Sequence, residues 1–289
     1  MRINHNISAM TTSGALSSVD KAMSVSLERL STGYRINSAA DDAAGLGVSE
    51  NLRTQVNGTA QAKSNAQDGI AALTIAEGAA NEVSSVLQRM RELAVQSSND
   101  TLTSTERNYT NSEFQALSSE IDRIAKVTNY NGQDLLSSSS SRFGYKTATA
   151  GSGSALWIDA NETAGVDSIT ITISTLTTTA IGLSTAGTSS TFLTSQTSAA
   201  GAISKLDSAI NSVNSMRSDM GSYINRLEHA INNLTVSNTN QQSAESYIRD
   251  VDFSSETSEY SKNQILTQSA TAMLAQANSL PQTVLTLLQ

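Results

Sequence analysis

The side chains that most often carry out chemistry are sparse in this sequence and badly spaced for it. Its two histidines, His5 and His229, lie far apart, and neither sits in an H-E-x-x-H helix face that could hold zinc beside a general base. The absence of cysteine removes thiolate nucleophiles and nearly every tetrahedral structural zinc site. Acidic pairs occur at Asp41-Asp42 and at Asp250 and Asp252, and carboxylates so placed could bind a metal or exchange a proton. Each pair stands where a helical pattern breaks, so these residues read as caps and ion-pair partners. Ser38 and Asp41 have the spacing of a capping box, although its usual second member is Glu or Gln. Gly45 and Gly47, and Gly151 and Gly153, open G-x-G strings that no further glycine completes into a nucleotide loop. No catalytic, cofactor-binding or metal site is expected, and the chain does not read as an enzyme.

The elements that would have to position such groups are long helices with narrow apolar stripes. Near the C-terminus, Leu266, Ala270, Met273, Ala277, Leu280, Val284 and Leu287 alternate steps of 4 and 3. That is one seam of a helix made to meet another helix. Leu16, Val19, Met23, Leu27, Leu30 and Tyr34 form a similar stripe near the N-terminus. Both terminal helices are therefore expected to stick to each other or to further copies of the chain. Ile70, Leu73, Ala76, Ala80, Val83, Leu87, Met90 and Ala94 mark a long second helix, expected over about Val48–Gln96. A third carries Phe114, Leu117, Ile121, Ile124 and Val127, before a turn at Asn131-Gly132. Another long stripe runs from Ile203 to Leu234. The only proline is Pro281, so the other helices meet no proline break.

Composition narrows the classes. Aromatics are 4% of the 289 residues, and much of the apolar content is alanine, which suits closely spaced helices. A formal net charge of −8 argues against nucleic-acid binding. No segment approaches the ~20 apolar residues of a membrane span, and MRINHNISAM lacks a signal-peptide apolar run. The expectation is a chain that is cytosolic or leaves the cell without a cleaved signal.

One middle segment differs. Between Ser168 and Ser198, 18 of 31 residues are Ser or Thr and none is charged, which reads as a surface-displayed, dispensable stretch of hairpin and loops. Ile169, Ile171 and Ile173 alternate with small polar residues, and ALWIDA places Leu156 and Ile158 opposite Trp157 and Asp159. Two half-buried strands joined through NETAGV are expected. The fold class is mainly α: a long helical bundle or coiled-coil rod formed by both chain ends, with a small β-hairpin region in the middle.

Several strings in this layout resemble bacterial flagellins. INHNISAM (Ile3–Met10), LSTGYRINSAADDAAGLGVSENLR (Leu30–Arg53), LQRMRELAVQSSN (Leu87–Asn99), EIDRI (Glu120–Ile124) and YNGQDLL (Tyr130–Leu136) are similar to the family's N-terminal half. YIRDVD (Tyr247–Asp252) and QILTQSATAMLAQAN (Gln264–Asn278) are similar to its C-terminal half. The resemblance covers about the first 136 and last 90 residues, in the family's order, with a short middle that implies a form lacking large outer domains. It implies residues 1–47 as an N-terminal inner-core helix and connecting spoke, 48–136 as rod helices, and 137–200 as the hairpin and loop segment. Residues 201–245 would form a C-terminal rod helix, and 246–289 a second spoke and inner-core helix.

The function implied is a subunit that self-assembles into the helical flagellar filament, outside the cell or in a spirochaete-type periplasm. The self-assembly residues would be Leu16, Val19, Met23, Leu27, Leu30, Leu266, Met273, Leu280, Val284 and Leu287. Implied partners are further copies, a flagellar export chaperone, and the filament cap and hook–filament junction proteins, with export by the flagellar type III route. Arg89, Leu93 and Glu113 match family contacts to the innate immune Toll-like receptor 5. The resemblance also implies that Ser and Thr of the middle segment can carry O-linked glycans. Alternative readings are a hook–filament junction protein or a secreted coiled-coil adhesin. Neither explains both matched halves as well.

Overall fold

The computed structural model describes residues 5–137, 154–160, 167–183 and 193–287, with side chains described as far as residue 279. The chain divides into two compact units, one made of Met1–Val56 and Thr239–Gln289, the other of Asn57–Asn238. Five helices are described: α1 (Ile7–Thr32), α2 (Ala43–Ser97), α3 (Ser104–Val127), α4 (Gln196–Arg249) and α5 (Phe253–Leu287). Both α2 and α4 contribute residues to each unit.

In the Asn57–Asn238 unit, α2 and α4 run antiparallel. Arg91 bonds Asp207 at 2.7 Å, Arg217 bonds Glu77 at 2.7 Å, and Asn238 donates to Thr59 at 2.9 Å. Alanines 66, 72, 76 and 80 on α2 are buried with Leu73, Leu87 and Met90, and their small side chains let helices approach closely. Leu206, Val213 and Leu227 of α4 and Phe114 and Ile121 of α3 complete the core. A capping box starts α3: Glu106 N–H donates to Thr103, and Glu106 takes the Thr103 N–H at 2.7 Å. Arg107 then donates to the carbonyls of Ser97 and Asn99, satisfying acceptors that the end of α2 leaves open.

Strands β1 (Asn129–Tyr130) and β2 (Gln133–Asp134) pair antiparallel around Asn131 and Gly132, at φ 51° and 76°. Positive φ at both central residues is what the tight hairpin turn needs. Strands β3 (Ser154–Trp157) and β4 (Ser168–Ile171) also pair antiparallel, Ser154 with Ile171 and Trp157 with Ser168. The expected alternation holds: Ile169, Ile171 and Ile173 are buried, while Trp157 is exposed. NETAGV lies outside the described residues.

The Ser/Thr tract departs from the expected surface display. Leu176, Ile181, Leu183 and Leu193 are buried in the same core as α2, α3 and α4. Thr178 donates its N–H and its hydroxyl to Asp122, 2.9 Å each, and Leu176 N–H reaches Leu136 O at 2.9 Å. Sparse aliphatic residues carry the described part of the tract inward, and bonds to Asp122 and Leu136 satisfy Thr178 and the Leu176 amide.

In the other unit, α1 and α5 pack against each other. The pairing is antiparallel: Asn6 meets Ala277 (2.8 Å), Asp20 meets Thr267 (3.4 Å) and Arg29 meets Glu256 (3.6 Å). Helix α1 ends at Gly33, whose φ of 76° gives the left-handed cap that glycine adopts without strain.

Candidate functional site

The α1–α2 and α4–α5 connections are stitched to each other. Arg35 N–H donates to Arg249 O at 2.7 Å and Val251 N–H to Gly33 O at 3.0 Å, flanking an antiparallel bridge between Tyr34 and Asp250. The Arg249 guanidinium lies 4.9 Å over the Tyr34 ring and bonds Glu50 at 2.7 Å. Arg53 bonds Glu245 at 2.9 Å. The acids singled out from the sequence serve this frame. Asp41 accepts from the Asn37 and Ser38 N–H groups, and the Ser38 amide bond holds its carboxyl below the ordinary aspartate range. Helix α2 is capped by Asp42, which accepts from Gly45 N–H at 2.9 Å, one residue beyond the expected Ser38–Asp41 box. Asp252 caps α5 by accepting from Ser254 N–H. Asp42 and Asp252 therefore work as helix caps, and Asp41 closes the turn that precedes α2.

Along the α1/α5 pair, the inward residues of α1 include Leu16, Val19, Met23 and Leu30, all half-buried, with Ser26 buried. Leu27 stands off this seam, 56% exposed. On α5 the covered residues are Glu256, Tyr260, Asn263, Thr267, Ala270, Leu274 and Ala277, again in steps of 4 and 3. The apolar stripe read from the sequence therefore separates into two columns. Ala270 and Ala277 face α1, whereas Leu266 (41% exposed) and Met273 (62%) lie open on the flank. Ile7, Met10, Val25 and Ile265 are exposed as well. The side chains of Leu280, Val284 and Leu287 lie outside the described residues. Apolar columns left open on a paired helix are surface for a further partner.

Sequence reading by apolar period missed Asn6, Arg29, Glu256, Asn263 and Thr267. Glu256, Asn263 and Thr267 carried a signal as polar residues in steps of 7 and 4, which an apolar count passes over, whereas Asn6 and Arg29 stand outside that period.

The other predicted cluster lies on α2 and α3. Arg89 bonds Glu113 at 2.9 Å and Glu92 at 3.0 Å, and these carboxylates, Glu92 first, hold the guanidinium above its ordinary value. Both Arg89 and Glu113 are solvent-accessible. Leu93 is not: at 1% exposure it belongs to the core, so its side chain offers no surface contact in this conformation. The physical reason is that α2 is flanked here by α3 and α4 together, which widens its buried arc to include Leu87, Met90, Leu93, Ala94 and Ser97.

Comparison with known proteins decides what this arrangement belongs to. Residues 3–141 match the bacterial flagellin N-terminal helical region and residues 203–288 the bacterial flagellin C-terminal helical region. The chain belongs to the bacterial flagellins. It is 42% identical to flagellin FlaB2 of Treponema pallidum (strain Nichols) over the whole of both chains. It is 43% identical to the flagellar filament 33 kDa core protein of Treponema phagedenis and 43% identical to the flagellin of Bacillus subtilis (strain 168), again over the whole of each. This flagellin is thus a structural subunit of the flagellar filament and not an enzyme. Full-length similarity sets the adhesin and junction-protein readings aside. No described helix is long and apolar enough to cross a membrane.

Proposed function

We propose that this flagellin polymerises through the open apolar columns of its α1/α5 pair. The observation that carries this is the exposure of Leu27, Leu266 and Met273 beside a seam already occupied by the partner helix. Each large side chain taken from water on association contributes roughly 1.5–3 kcal/mol at full burial. A handful per subunit, repeated along a helical polymer, supports a stable filament. Residues 1–47 and 246–289 then act as the inner-core element, residues 48–136 and 201–245 as the rod helices, and residues 137–200 as the hairpin and loop segment. Removing the residues after Gln264 tests the proposal, and filaments from that chain would refute it.

The filament lies outside the cell body on this reading, or in the periplasm of a spirochaete-type cell. Subunits reach it by the flagellar type III route with an export chaperone, adding between junction and cap proteins. The accessible Arg89–Glu113 pair supports a contact with Toll-like receptor 5, without a direct contribution from the Leu93 side chain. Arg89→Ala and Glu113→Ala are expected to lower receptor activation by the monomer severalfold while leaving its circular dichroism unchanged. Equal potency of native and variant monomers would remove these residues from the receptor surface.

A further inference from the structure

The backbone of α5 stays helical through Pro281 as far as Leu287. Proline has no N–H, so the carbonyl four residues earlier, that of Ala277, loses its helical donor. Ala277 is buried in the α1/α5 seam, where an unpaired carbonyl is costly. Asn6 fills the vacancy. Its side-chain Nδ2 donates to Ala277 O at 2.8 Å, across 271 positions of sequence. At the same time its Oδ1 accepts the Ala9 N–H at 3.1 Å and caps α1. The two bonds fix the amide's orientation, since exchanging its oxygen and nitrogen would set acceptor against acceptor and donor against donor.

We propose that Asn6 is a positioning residue: by capping α1 and donating to the carbonyl that Pro281 frees, it locks the register of α1 against α5. Apolar columns alone specify register poorly, because heptad-spaced stripes on both helices find similar neighbours after a slip of seven residues. Polar groups must break that degeneracy. Arg29–Glu256 and Asp20–Thr267 are longer, at 3.6 and 3.4 Å, and the Asn263 amide nitrogen is buried without a hydrogen-bond partner. The chain has one proline, so only one proline-freed carbonyl exists and only one register brings Asn6 to it. That register fixes where Ile7, Met10 and Leu27 stand relative to Leu266 and Met273, and with them the surface offered to the next subunit.

This inference rests on the α1/α5 pair being the polymerising element, a premise that filaments from a chain ending at Gln264 would refute separately. The test is a double-mutant cycle read as the monomer concentration in equilibrium with filaments. Asn6→Ser keeps a capping oxygen but is too short to reach Ala277, and Pro281→Ala restores the helical N–H. Alone, Asn6→Ser is expected to raise the residual monomer concentration roughly fivefold, the equivalent of one net hydrogen bond. In the Pro281→Ala chain the same change should raise it less than about twofold, because residue 281 then serves the Ala277 carbonyl itself. An equal effect of Asn6→Ser in both backgrounds overturns the proposal.

Discussion

A chain ending at Gln264 is expected to form no filaments at concentrations where the full chain polymerises readily. The cut removes Thr267, Ala270, Leu274 and Ala277 from the seam and Leu266 and Met273 from the open flank. The N-terminal part of α1, which pairs with α5 through Asn6–Ala277 and Asp20–Thr267, then has no partner. An isolated amphipathic helix of this length is marginal in water, since little burial offsets its ordering. Loss of Leu266 and Met273 further removes about 1.5–3 kcal/mol of potential burial each at every subunit contact. The Asn57–Asn238 unit keeps its whole core, so thermal unfolding should still show a cooperative transition. Electron microscopy after salting-out reads the outcome, and filaments of ordinary length would exclude α5 as the polymerising element.

Replacing Leu176–Leu183 with a Gly/Ser linker is expected to destabilise the Asn57–Asn238 unit by roughly 5–9 kcal/mol, counting Leu176, Ile181 and Leu183 at about 1.5–3 kcal/mol each. That sum is an upper bound, because the unfolded chain already shields some apolar surface. It still rivals the stability of an ordinary domain, about 5–15 kcal/mol. The linker also leaves Asp122 without its two Thr178 donors. Chemical denaturation gives the measurement. A loss below about 1 kcal/mol would return this segment to the dispensable surface its composition suggests.

Helix positions were legible because long 3–4 apolar stripes and a single proline leave few other solutions, and Asn131-Gly132 announced its own turn. The middle tract was misleading because composition counts its hydroxyls, whereas four aliphatic residues decide where it lies. Leu93 was placed on a receptor surface by resemblance, yet two neighbouring helices close over it. The subtlest difference lies at α5. A heptad pattern shows that two columns are apolar but not which partner each one meets. Intrachain pairing takes the alanine column and a row of polar residues, leaving the bulkier column open. Asn6 gave no signal as an assembly residue, because its role depends on a carbonyl 271 positions away.

The absence of cysteine in the native chain makes thiol accessibility the most direct test of whether that open column is the polymer contact. Met273→Cys should react with a maleimide probe in the monomer about as fast as a free thiol. In filaments formed before labelling, the same thiol should react at least about a hundredfold more slowly, as burial within a packed interface requires. Equal labelling rates in monomer and filament would show that the column remains open in the polymer and would contradict assembly through the α1/α5 flank.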